Sequence, residues 1–144
     1  MSAETLMRRV MAAFEKGDLE PLFKAIDDNI VWKSASAHPG DFRFSGEYRN
    51  RAGVVEVMSK FAMSYFVQRF APVEIVSGGD IVWGLFDVHM IYQPMAENAQ
   101  TRRAIRLDCA MRWRVRDGRI VEHQAFYDTA SMLAQQGQDR CAKA

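Results

Sequence analysis

Charge of one sign is missing from this chain: 19 lysines and arginines stand against 18 aspartates and glutamates, and no basic run exceeds two residues. Nucleic acid and anionic membrane both demand a concentrated basic patch, so neither is an expected partner. Cysteine is almost absent. Cys109 and Cys141 lie far apart and match no metal or redox spacing, so no metal and no cofactor is expected. The economical reading is a reduced, cytoplasmic protein. No stretch approaches the roughly 18 apolar residues of a membrane span. The first five residues carry an acid, Glu4, and lead into an amphipathic pattern rather than a secretory signal. Internal repeats and linkers are lacking too. With 144 residues, 49% of them apolar, the chain reads as one domain over 1–144 with enough material for a core.

What is present falls into helices first and strands after. Leu6, Val10, Ala13 and Phe14 recur at helical spacing up to Gly17. Asp18 is a candidate cap for a shorter helix burying Leu19, Leu22, Phe23 and Ile26, with Pro21 tolerated in its first turn. Ile30–Lys33 begins a strand, and residues 34–48 read as a long loop of the kind that forms a lid or pocket rim. Asn50 is placed to cap a third helix with an apolar face of Val54, Val55, Met58, Phe61, Ala62 and Tyr65. From Pro72 the period becomes two: a strand through Val76, a turn at Gly78-Gly79, and a long strand over Ile81–Tyr92. A polar connection (93–101) leads to another long strand, Arg103–Arg116. Asp117-Gly118 supplies the left-handed backbone of a tight hairpin. The returning strand ends at a helix start, where Asp128 or Thr129 caps a helix closed by Gly137. The tail, 138–144, has no apolar period and is expected to be loosely held. This order implies α+β, with helices packed on one face of a curved antiparallel sheet.

The long strands each have two faces. Over Ile81–Tyr92 one parity carries Trp83, Leu85, Asp87, His89 and Ile91, the other Val82, Phe86, Val88 and Met90. Both are largely apolar, so both are expected to be covered. The Asp87 parity is read as facing inward, and the Val82 parity as the outer surface that forms a homodimer. In the next strand Ile105, Leu107, Cys109, Met111 and Trp113 oppose Arg106, Asp108, Arg112 and Arg114. His123 and Tyr127 differ in parity from Asp128 and are assigned to the outer face.

A helical N-terminal third, the segment Phe44-Ser45-Gly46-Glu47-Tyr48-Arg49-Asn50-Arg51, and a closing Asp-Gly hairpin running into Phe126-Tyr127-Asp128 together resemble one family. It is the SnoaL-like branch of the nuclear-transport-factor-2-like superfamily. The resemblance covers roughly residues 3–137. It implies a cone: a strongly bent sheet around helices, with a pocket at the wide end. Relatives include limonene-epoxide hydrolases, ketosteroid isomerases and polyketide cyclases, and the fold alone does not choose among them.

Carried over residue by residue, the resemblance puts Asp128 and Asp87 on the two carboxylates of the epoxide-hydrolase triad. Leu85 stands where the bridging arginine would be. Trp32 and Ser34 stand where those relatives hold the attacking water. Asp128 and Asp87 are therefore the candidate catalytic residues, with helix capping as the alternative for Asp128. Trp32, Ser34, Met58, Leu85, His89, Leu107 and Cys109 are the candidate substrate-binding residues. The expected partner is a small hydrophobic molecule. Two functions follow: cofactor-independent acid–base chemistry (isomerisation, cyclisation, dehydration or hydrolysis), or non-catalytic binding of a small ligand or a protein partner.

Overall fold

The computed structural model describes residues 1–94 and 102–137. Most of the expected polar connection and all of the expected loose tail lie outside them.

Helices open the chain. The first, α1 (Ala3–Glu15), is capped by Ser2, whose Oγ accepts from the Thr5 amide at 3.1 Å. Its buried side is Met7, Val10 and Met11, and the chain leaves it at Gly17 with φ +81°. Next comes α2 (Glu20–Ala25), which passes without a loop into strand β1 (Ile26–Lys33). Ile26 is thus strand rather than helix. The junction is clamped from outside by Arg51. Its guanidinium donates to the Phe23 carbonyl at 2.6 Å, the Ile26 carbonyl at 2.7 Å and the Asp28 carboxylate at 2.7 Å. A cation on the last carbonyls of a helix completes bonds that the helix itself cannot make.

The loop 34–46 leads to a short strand β2 (Glu47–Arg49) and to helix α3 (Asn50–Ala62). Asn50 has φ +64°, and its Oδ1 accepts from the Gly53 amide at 3.1 Å, so its side chain does the capping. The buried residues of α3 are Gly53, Val54 and Val57, whereas Val55 is exposed.

Four long strands follow: β3 (Tyr65–Gly78), β4 (Ile81–Tyr92), β5 (Arg103–Arg116) and β6 (Arg119–Phe126). β3 begins at Tyr65 and not at Pro72. Proline is tolerated in it because β3 is an edge strand, where a ladder can lose an N–H. One curved, unclosed sheet results, in the order β2-β1-β6-β5-β4-β3. All neighbours run antiparallel except β1 with β6. Asp117 and Gly118, with φ 50° and 72°, form the two-residue turn between β5 and β6.

Register decides which side chains enter the core. Directly opposed residues share a face of the sheet. Phe86 pairs with Cys109 and Val88 with Leu107, so the inward parity of β5 carries Phe86 and Val88 inward with it. Val82, Phe86, Val88 and Met90 are all buried, and Trp83 and Leu85 are exposed. The faces of β4 are therefore the reverse of the sequence expectation. The set assigned to a dimer surface is the core, and Asp87 lies on the convex side.

Two further irregularities matter. β3 carries two one-residue bulges, at Gln68 and Val73, since Val67 and Arg69 oppose consecutive residues of β4, as do Pro72 and Glu74. β6 carries one at Val121, between the pairs Val115–Ile120 and Arg114–Glu122. An extra residue flips the alternation. Ile120, His123 and Ala125 consequently all face inward.

The last helix, α4 (Thr129–Gln135), docks where β6 has ended and β5 continues, paired only with β4. Gln135 there completes the ladder with its side chain. It accepts from the Arg106 amide at 2.8 Å and donates to the Arg106 carbonyl at 3.0 Å. Tyr65 adds a second tie, donating to Gln136 Oε1 at 2.6 Å.

Candidate functional site

Between the concave face of the sheet and the helices lies a cavity of about 130 Å³. Val57, Met58 and Phe61 of α3 wall one side, and Leu107, Cys109 and Met111 of β5 the other. Phe44 from the loop and Met132 from α4 also line it. The loop 34–46 is a rim, fixed by its own polar bonds: Ser34 Oγ donates to the Ser36 carbonyl at 2.8 Å and accepts from the Gly46 amide at 2.8 Å.

The predicted substrate-binding residues divide cleanly. Trp32, Ser34, Met58, Leu107 and Cys109 line the cavity. Leu85 and His89 do not; they follow Asp87 to the convex face for the register reason given above. Asp87 is held there in an ion pair with Arg69 at 2.8 Å, with His89 Nε2 at 3.3 Å. The Arg69 hydrogen bond is the main cause of its lowered pKa, which keeps it ionised. Asp128 is also outside. It is the exposed N-cap of α4, its Oδ1 accepting from the Ser131 amide at 2.9 Å. The capping alternative describes its geometry. Among the described residues no carboxylate lines the cavity.

Two residues that the parity argument sent outward are the ones that face in. His123 is 4% exposed and stacks on Trp32 with ring centroids 3.6 Å apart. Its Nδ1 accepts from Trp113 Nε1–H at 2.9 Å. Burial alone pushes its pKa down to about 3, so the ring is neutral. Tyr127 lies past the end of β6, and its hydroxyl oxygen is buried without a hydrogen-bond partner among the described residues. Burial, first of all, raises its pKa, with Cys109 and Tyr65 adding to the effect. Cys109 is likewise pushed up by burial to about 12, which leaves an unreactive thiol. His123 was sent outward because its face was counted from Asp128; the opposite parity of the two holds, but it is Asp128 that lies outside. With uninterrupted pairing from the hairpin, Trp113 would face Glu122; with the bulge at Val121 it faces His123. The available signal was chemical: Glu122 belongs with Arg112 and Arg114, to which it is bound at 3.2 and 2.8 Å, on the wet side.

The site is thus a mostly apolar chamber whose polar lining residues, Ser34, Cys109, His123 and Tyr127, are uncharged. Such a chamber can enclose a small hydrophobic molecule and donate hydrogen bonds to it. It holds no ionised group among the described residues.

Comparison with known proteins agrees with the fold. The sequence profile of the SnoaL-like domain matches residues 7–123. A search of curated proteins finds no match. Among solved structures, an NTF2-like protein of unknown function from Burkholderia pseudomallei superposes with a TM-score of 0.81 at 20% identity, over 95% of this chain and 99% of that one. A proposed isomerase from Rhodopseudomonas palustris has a TM-score of 0.71 at 25% identity, over 90% and 91%. A proposed polyketide cyclase from Pseudomonas putida has a TM-score of 0.73 at 18% identity, over 94% and 98%.

Proposed function

This chain belongs to the SnoaL-like domain family, and from that premise we propose that its cavity binds a small, largely hydrocarbon molecule. The observation that carries this reading is the chamber of about 130 Å³ whose described lining holds no charged side chain. An engineered apolar cavity of roughly 150 Å³ in another protein is large enough for benzene. Native mass spectrometry of the protein purified from its own host tests the reading. The wild type is expected to retain a small mass that Ala125→Phe, which fills the chamber, does not. Wild-type protein that carries no ligand, and whose melting temperature no neutral apolar probe raises, would overturn it.

A second reading is an isomerase or cyclase reaction in the same chamber. His123 and Tyr127 are neutral donors of the kind that steady an enolate oxygen, and the 25%-identical neighbour is itself a proposed isomerase. Such a reaction would not use Asp87 or Asp128.

The homodimer is proposed on a different surface from the one the sequence suggested. Leu85, Ala110 and Phe126 are cross-strand neighbours on the convex face, and Trp83 stacks on Phe126 at 5.7 Å. The Asp87–Asp108 row lies on one side of this patch and the Trp83–Arg112 row on the other. A two-fold axis along the Leu85 row sets the acids of one copy against Arg112 of the second, and Asp108 has no ion pair of its own among the described residues. Sedimentation at micromolar concentration is expected to give a dimer, and Leu85→Arg a monomer. A monomeric wild type would refute the contact.

A further inference from the structure

The chamber wall is of two kinds, and the difference bears on which molecules fit, given the reading above that it binds an apolar ligand at all. One kind is stiff. Lining rings are locked onto other rings: Trp32 stacks on His123 at 3.6 Å, Phe70 on Phe86 at 4.6 Å, and Phe44 meets Phe61 edge-on at 5.2 Å. A ring held by another ring cannot swing without emptying the place it fills. The lining valines, Val57, Val67 and Val88, are branched at Cβ and have little choice of rotamer.

The other kind is soft. Met58, Met90, Met111 and Met132 line the chamber, four of the chain's nine methionines, and each comes from a different element: α3, β4, β5 and α4. Methionine is unbranched, turns about three bonds and carries a polarizable sulfur, so it repacks at little cost. The four are not equally free. Met90 and Met132 are 3% and 1% exposed, packed on every side. Met58 and Met111 are only partly buried, which leaves room beside them for a different rotamer. One belongs to the α3 wall and the other to the β5 wall.

Size decides what that freedom means. At about 130 Å³ the resting chamber is matched to a single ring, as the roughly 150 Å³ cavity that takes benzene indicates. A fixed wall would refuse anything larger. We propose that Met58 and Met111 form an adjustable wall, changing rotamer to admit a fused two-ring hydrocarbon that the resting chamber does not hold. The ligands are then a graded series of apolar molecules, from one ring to two, and not a single fitted compound. Met58 and Met111 set the upper limit of that series.

Benzene and naphthalene differ in size and carry no polar group, which makes them the probes, read by calorimetry and melting-temperature shift. The wild type is expected to bind both, naphthalene at least as tightly as benzene because it buries more apolar area. In Met58→Leu/Met111→Leu the volume is conserved and the flexibility is not. Benzene should bind that variant within about threefold of wild type. Naphthalene should bind it at least about tenfold more weakly, forced against a wall that no longer gives way. Met90→Leu/Met132→Leu should leave the ratio of the two affinities unchanged. A crystal structure of the wild type with naphthalene should show Met58 and Met111 in new rotamers.

A wild type that takes benzene and refuses naphthalene overturns the adjustable wall while sparing the apolar-ligand reading. Naphthalene binding by Met58→Leu/Met111→Leu that equals wild type removes the two residues from the role, and so do unchanged rotamers in the complex. A tenfold loss through Met90 and Met132 instead overturns the assignment to the partly buried pair. A wild type that binds neither probe overturns the ligand-binding reading itself. If a leucine variant does not fold, the rotamers in the wild-type complex decide.

Discussion

Alanine in place of Phe86 is expected to destabilise the fold by about 3–5 kcal/mol, the range for losing a fully buried aromatic ring. Phe86 has no exposed surface. Its ring stacks on Phe70 at 4.6 Å and meets Trp113 edge-on at 6.0 Å. It also lies over Gly84, two residues back on the same strand. A Cβ at Gly84 would come within 2.6 and 2.8 Å of the Phe86 ring and 3.4 Å of Trp113. Neither ring has room to retreat, so Gly84→Ala should itself cost about 1–3 kcal/mol by overpacking. The two effects share one volume and must be coupled. In a Phe86→Leu background, Gly84→Ala should cost measurably less than it does alone, with a coupling energy of about 0.5–3 kcal/mol in a double-mutant cycle. Denaturant midpoints of the four proteins measure this. Strict additivity would mean that the ring does not occupy the place where a Gly84 side chain would go.

Stability should also fall in mild acid through His123. Burial depresses its pKa from 6.5 to about 3 in the folded chain. Between those values the unfolded chain takes up a proton that the native state refuses. The native state therefore loses ground as pH falls below 6.5, continuing toward 3, and above 6.5 the residue contributes no pH dependence. At one proton per molecule the loss by pH 4.5 is about 2–3 kcal/mol. The groups packed near it do not confuse the reading: Trp32 and Trp113 do not titrate, and Cys109 and Tyr127 are held neutral by burial. Carboxylates with lowered pKa values, such as Asp87 and Glu122, lose their contribution only nearer their own unfolded values and do so in any variant. Comparing wild type with His123→Gln at pH 7 and pH 4.5 isolates the effect. A stability gap between the two proteins that is the same at both pH values would show that His123 is not buried neutral.

Most of the scaffold was legible because it is written in local chemistry. Asp117-Gly118 can only be a tight turn, Gly137 stops a helix, and the boundaries Ile81 to Tyr92 and Arg103 to Arg116 are where period-two patterns begin and end. The site was half legible. Trp32, Ser34, Met58, Leu107 and Cys109 were reached through inward parity and resemblance. Asp87 was misplaced because β4 is apolar on both faces and its sequence alone does not say which is inside. Only the pairing of Phe86 with Cys109 settles that, and pairing is a tertiary fact. His123 was lost because its face was counted from Asp128, which the resemblance placed inside and which is the exposed cap of α4. Counting from the hairpin would have failed as well, since the bulge at Val121 leaves almost no mark in composition yet reverses every assignment beyond it.

Among the described residues the sheet has two borders, and they bear on how the molecule behaves in a crowd. One border is β2, three residues long; the other is β3, at 14 residues a template long enough to recruit foreign strands. It even displays Phe66, Val73 and Val76 to solvent. The bulges at Gln68 and Val73, with Pro72 between them, break that border into segments too short and too kinked to be copied by an incoming chain. The same irregularities that cost β3 its regular ladder therefore protect the protein from polymerising edge to edge.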